Sequence, residues 1–203
     1  MTDRPPSAGT ALAGLLLAAG GGRRFGQPKA LVEYAGQPLV DRAVQLLRTA
    51  GCAPVLVVVG AAGEQVAARA RATGAVPVPN PDWASGMASS LRTGLTELQQ
   101  RWPRVEAAVV LLVDQPALTA EAVTRVAAAH RSGASVAVAD YGDRSGHPVL
   151  LARTVWSRVL ATPVRQQGAR AFLAAHPELV TAVDCTGAGS PLDVDRPGDL
   201  ERF

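Results

Sequence analysis

An apolar run, Leu15, Leu16, Leu17, Ala18 and Ala19, passes directly into Gly20, Gly21 and Gly22 and then into Arg23, Arg24 and Lys29. A run without polar alternation reads as a strand buried on both faces, the pattern of a parallel sheet covered by helices on each side. Two further runs repeat it: PVLVVVG from Pro54 to Gly60, and AAVVLLVDQP from Ala107 to Pro116. Pro116 forbids continuation of the last, which leaves Asp114 at the strand end. In a parallel sheet Gly20, Gly60 and Asp114 then share the carboxyl edge, where open α/β folds bind ligands. The expected architecture is α/β, a three-layer sandwich with a mostly parallel, Rossmann-like central sheet.

The first loop is built for an anion. Glycines let backbone N–H groups converge on phosphate oxygens without a Cβ in the way, and the basic side chains add charge. Lys29 is the only lysine among 20 lysines and arginines. A chain that otherwise uses arginine and keeps one lysine beside this loop is using a compact point charge there; the plainer reading is a surface lysine after an ordinary Gly-rich turn. The loop is not GxGxxG, because Phe25 stands at the third glycine, nor a P-loop, because Pro28 precedes and Ala30 follows the lysine.

Composition narrows the class. With 203 residues, 48% of them hydrophobic, the chain is expected to form one domain over residues 11–203 behind a disordered tail of residues 1–10, which holds Pro, Ser and Gly. A net charge of +3 and 4% aromatics argue against a nucleic-acid platform. Cys52 and Cys185 have no CxxC spacing and read as free thiols in a reducing cytoplasm. No run is long enough to span a bilayer, and MTDRPPSAGT lacks a signal-peptide pattern. The expected setting is cytoplasmic, with no membrane and no nucleic-acid partner.

Further along, a helix is expected from Gln37-Pro38 to Gly51, another over Glu64 to Ala72, and a short strand over Ala75 to Pro79. In NPDWASGMASSLRTGL, Asn80 to Leu95, a loop precedes a helix whose start offers hydroxyls, Ser89 and Ser90, and free N–H groups for a phosphate, although either serine could simply cap it. Asp114 could likewise be only the N-cap of the helix Thr119 to Arg131. A strand to Asp140, a mobile loop from Gly142 to Gly146, a strand from His147, two short helices (Thr154 to Ala161 and Gly168 to His176) and a strand over Leu179 to Cys185 complete the pattern.

LAAGGGRRFGQPKAL resembles the signature loop of MobA-like nucleotidyltransferases, roughly LAAGxSxRFGxxK, with Gly22 where that family usually has Ser. The Asn80 to Leu95 stretch, DQP, GHPVLL and LDVDRPGDL are similar to the family's later motifs, in order, from about Leu12 to Leu200. The resemblance implies a nucleotidyltransferase fold. It implies nucleotide binding by Leu17, Ala18, Ala19, Gly20, Gly21, Gly22, Arg24, Lys29, Asn80, Ser90 and Asp114, with Lys29, Arg24 and Asp114 catalytic. It implies Mg²⁺ on Asp114 and Asp195, with Asp193, expected on the same strand as Asp195, as the alternative ligand, and an acceptor near His147, Gly168 and Arg170. QQGAR stands where the family commonly has GDxGAR, so the carboxylate expected beside Gly168 is replaced by Gln167. LAAG and DQP look most like the branch that joins CMP from CTP to molybdopterin. The alternatives are GTP as donor, another small phosphorylated acceptor, or a non-catalytic nucleotide-binding module that delivers cofactor to a molybdoenzyme or its maturation factor.

Overall fold

The computed structural model describes residues 11–162 and 169–203; the expected tail lies outside them. In chain order the elements are β1 (Leu12–Leu17), the two-residue strands β2 (Glu33–Tyr34) and β3 (Gln37–Pro38), α1 (Leu39–Thr49), β4 (Val55–Val59), α2 (Gly63–Ala72) and β5 (Val76–Pro79). Then come α3 (Met87–Arg101), β6 (Ala107–Leu112), α4 (Ala120–Arg131), β7 (Val136–Asp140), β8 (Ser145–Ala152), α5 (Arg153–Ala161), α6 (Arg170–Ala175) and β9 (Val180–Asp184). The main sheet has the order β5-β4-β1-β6-β8-β7-β9, and β2 pairs with β3 in a separate hairpin. Only β8 runs against the other six.

β1 lies inside the sheet between β4 and β6, buried along its whole length. Its side chains alternate between two cores: Leu12 and Leu16 pack with α1, α2 and α4, while Ala13, Leu15 and Leu17 pack with α3, α5 and α6. Helices therefore cover both faces, as the unbroken apolar runs require. Each fully buried leucine contributes roughly 1.5–3 kcal/mol of transfer free energy. Small residues set the helix approach: a Cβ on Gly94 of α3 would lie 2.3 Å from Leu15 Cδ1. Cys52 and Cys185 are free and buried, as expected. No helix among the described residues is long and apolar enough to cross a membrane.

Three local expectations are corrected. Gln37-Pro38 does not open α1 but pairs with Glu33 and Tyr34, and the helix begins after it. The segment Gly142 to Gly146 is not a loose loop: Tyr141 N–H donates to Arg144 O at 2.9 Å, and Ser145 and Gly146 already pair with Asp140 and Ala139. The hairpin closes early because a bulge between Val138 and Ala139 absorbs the register change. Finally, the segment carrying Asp193 and Asp195 belongs to no strand, although Val194 N–H donates to Asp114 O at 2.8 Å.

Strand order places the site. From β1 the chain moves to β4 and β5 on one side and then crosses to β6 on the other. The crevice where that direction reverses, beyond the carboxyl ends of β1 and β6, is where such sheets take ligands. The glycine loop follows β1, and Asp114 follows β6.

Candidate active site

Beyond β1 the chain turns sharply at Gly22, with φ of +59°, and Gly22 O accepts from both Phe25 N–H and Gly26 N–H at 2.9 Å. Only glycine fits this turn, since a Cβ would lie 1.9 Å from Gln27 O. The loop ends in the single 3₁₀ turn Lys29–Leu31, anchored by fully buried Ala30, and this aims the Lys29 side chain back beneath the glycines. Nζ of Lys29 meets Asp114 Oδ2 at 2.7 Å and Asp195 Oδ1 at 2.7 Å. Nη1 of Arg24 takes the other oxygen of Asp195 at 2.9 Å. Two cations from one loop thus engage two carboxylates from distant parts of the chain.

Burial and the carboxylates oppose each other at Lys29. Desolvation pulls its pKa down, but the charge and hydrogen bond of Asp114, with those of Asp195, outweigh it and raise the net value. The hydrogen bond from Lys29 holds the Asp195 carboxyl below the usual range. Asp193 behaves oppositely: burial, then the nearby Asp114 charge, raise its pKa, and its Oδ1 accepts from Gln115 Nε2 at 2.8 Å. Residues two apart in an extended segment face one way, so chain direction does not separate Asp193 from Asp195. Their partners do.

Asp114 is not a helix cap, for Thr119 caps α4 by accepting from Ala122 N–H. Asp114 is free to face the cleft, a cavity of about 450 Å³. Of the residues implied for nucleotide, Leu17, Ala19, Gly20, Gly21, Gly22, Arg24, Lys29, Ser90 and Asp114 line it, and Asp195 with them. Ala18 and Asn80 do not. Ala18 is buried inside the sheet edge, where its N–H donates to Val58 O. Asn80 is buried too, and its amide donates to Ser89 Oγ at 2.9 Å and Ser90 Oγ at 3.1 Å, so it braces the loop before α3.

α3 starts two residues before the expected point, at Met87 after Gly86, and neither serine caps it. Ser89 Oγ instead donates to Gly86 O at 2.8 Å, which leaves the first N–H groups of α3 at the cleft wall formed by Gly86, Met87 and Ser90. Trp83 forms the adjoining wall, with its ring 3.4 Å from where a Gly21 Cβ would stand. Neither Trp83 nor Met87 was singled out as a site residue by the sequence reading. A tryptophan three residues before a helix-starting glycine was the available signal.

Two more residues support the carboxylates without a role evident in sequence. Gln115 Nε2 ties Asp193 to Pro191 O, and Asp199 Oδ2 accepts from Asp195 N–H at 2.9 Å and Arg196 N–H at 2.8 Å, which fixes the backbone beneath Asp195. Among the described residues no cluster of three or more metal-ligating side chains occurs. Asp114 and Asp195, converging on one cation, nevertheless suit an ion that takes one or two carboxylates and completes its shell with phosphate and water.

Of the acceptor residues, Gly168 lies outside the described residues, as do Gln166 and Gln167. His147 sits on β8 near the carboxyl edge but does not line the cleft. Burial, then the charge of Arg170 at the start of α6, lowers its pKa to about 4. Between pH 6.5 and 4 the unfolded chain therefore binds the proton that the folded chain refuses, so stability falls as pH drops through that window. Urea unfolding at pH 7 and pH 5 is expected to show this loss, and His147→Gln is expected to reduce it; an equal loss in the variant would show that other groups are responsible.

Comparison with known proteins agrees with the fold. The MobA-like NTP transferase domain matches residues 14–180. A nicotine blue oxidoreductase of Paenarthrobacter nicotinovorans is 37% identical over 198 residues, covering 94% of this chain and 95% of that protein. The crystal structure of a homologue of Mycobacterium tuberculosis Rv0371c from Mycobacterium sp. strain JC1 superposes with a TM-score of 0.80 at 30% identity, over 94% of this chain and 93% of the other. Rv0371c of Mycobacterium tuberculosis in complex with manganese gives 0.72 at 28% identity, over 95% and 97%.

Proposed function

Because the chain belongs to the MobA-like NTP transferase family, we propose that it transfers CMP from CTP to the phosphate of a molybdopterin-type acceptor and releases pyrophosphate. The observation that carries this reading is the meeting of Lys29, Arg24, Asp114 and Asp195 beneath a glycine loop in one cleft. An acceptor phosphate oxygen attacks the α-phosphorus in line, the bond from that phosphorus to the bridging oxygen breaks, and the electron pair leaves on pyrophosphate. Loop N–H groups and the first turn of α3 cradle the phosphates, while Lys29 and Arg24 neutralise charge that moves onto the leaving group. Asp114 and Asp195 would hold Mg²⁺, which when bound supplies further neutralisation of the triphosphate. No protein nucleophile is needed.

The choice of CTP rests on LAAG and DQP, and the choice of molybdopterin on the motif order. The test is pyrophosphate release from CTP, GTP, ATP and UTP with Mg²⁺, with and without molybdopterin. Acceptor-dependent release from CTP alone is expected. Release from GTP instead would keep the chemistry and change the base, and nucleotide binding without release would favour the delivery module.

The oxidoreductase relative favours one second reading. There the cleft takes the pyrophosphate of a reduced dinucleotide such as NADH, whose hydride, with a proton from water, reduces a flat pigment of the nicotine blue type. Pigment-dependent loss of NADH absorbance, with no pyrophosphate release from any triphosphate, would establish it.

A further inference from the structure

We infer that Lys29 holds the cation position in the ligand-free protein, so that a divalent cation and the triphosphate load together by exchange of ion pairs. The inference rests on the nucleotidyl-transfer reading for the identity of the polyanion. The three contacts are reciprocal: Lys29 Nζ occupies one oxygen of each carboxylate at 2.7 Å, and Arg24 Nη1 occupies the remaining oxygen of Asp195 at 2.9 Å. Two positive charges therefore already balance the two carboxylates that would hold the ion. A bare divalent cation meets a neutralised pair, with an ammonium in contact with the oxygens it needs, and like charges at such range in a half-buried site repel strongly.

Both protein cations belong to the glycine loop, whereas the carboxylates follow β6 and lie in the C-terminal segment. A triphosphate cradled by the loop offers Lys29 and Arg24 new anionic partners on their own side of the cleft. Once drawn to phosphate, they leave Asp114 and Asp195 with their charge uncompensated and their oxygens open. Lysine suits the exchange better than arginine: its flexible stem moves one point charge, where a fork would hold two bonds at once.

Linkage makes this measurable without turnover. Mn²⁺ binding, read by electron paramagnetic resonance of the free ion, is expected to be weak in the wild-type protein alone. It should tighten roughly tenfold or more when a non-hydrolysable CTP or GTP analogue with an α,β-methylene bridge is present. Lys29→Met and Lys29→Gln are expected to bind Mn²⁺ alone roughly tenfold tighter than wild type and to lose most of that coupling. Equal Mn²⁺ affinity in wild type and folded variants without nucleotide overturns the inference. Tighter Mn²⁺ binding in the variants, with no triphosphate altering wild-type affinity, keeps the lysine in the cation position and retires the nucleotide reading. Should neither variant fold, the wild-type protein decides. Its single lysine gives one ¹³Cε resonance, expected to stay in place with Mg²⁺ alone and to move with Mg²⁺ plus analogue; movement with Mg²⁺ alone overturns the exchange.

Discussion

Asp114→Asn is expected to lose turnover by about 10²- to 10³-fold, on the scale of removing one preorganised charge-stabilising group, while nucleotide affinity changes by only a few-fold. The carboxylate sits beyond β6, 21% exposed, with its Oδ2 on Lys29 at 2.7 Å. Asparagine keeps the shape and loses the charge. In the ground state Lys29, Arg24 and the loop amides still hold the phosphates, so binding survives. In the transition state the cation held by Asp114 acts on charge that is only then developing, so the loss falls on the rate. Pyrophosphate release under saturating nucleotide, set beside equilibrium binding of an α,β-methylene analogue, separates the two. Unchanged turnover in a folded variant removes Asp114 from the mechanism.

Gly22→Ser is the second large effect, and its direction is opposite to what a comparison of motifs alone suggests. The resemblance makes serine the usual residue here, so the substitution should supply a missing hydroxyl to phosphate. In this chain, however, Gly22 has φ of +59° and a Cβ there would stand 1.9 Å from the backbone oxygen of Gln27. Neither atom belongs to a flexible side chain. The loop must refold, at a cost of about 2 kcal/mol or more, and the N–H cradle with Lys29 at its far end moves with it. Nucleotide affinity is expected to fall roughly thirtyfold, measured by calorimetric titration with the same analogue. Equal or tighter binding by Gly22→Ser would show that the turn is not needed to hold phosphate.

Much of this arrangement could be anticipated. The three apolar runs became β1, β4 and β6 because a strand buried on both faces has no room for polar alternation, and Gly20, Gly60 and Asp114 came to one edge because those strands are parallel. The helix ends were less legible. Pro38 suits a first helical turn, yet it lies in a hairpin because Gln37 pairs with Tyr34. Ser89 and Ser90 suit an N-cap, yet Gly86 takes the cap position of α3 and Asn80 occupies the Ser90 hydroxyl. In each case a specific hydrogen-bonded partner outweighed a helix-start preference of similar size.

Local sequence by itself determined the elements and the kind of chemistry: strands that must be covered on both sides, a glycine turn that carries cations, and carboxylates at strand ends and in the closing segment. Tertiary structure alone decided which carboxylate answers which cation. Lys29 and Asp195 are 166 residues apart, and their contact depends on β6 lying beside β1 and on Val194 N–H docking the C-terminal segment against Asp114 O. Asp193 and Asp195 are nearly indistinguishable along the chain, but Gln115 claims one and Lys29 the other. The physical reason is range: propensity and periodicity act within a few residues, whereas an ion pair forms wherever packing of the whole sheet brings two charges within contact.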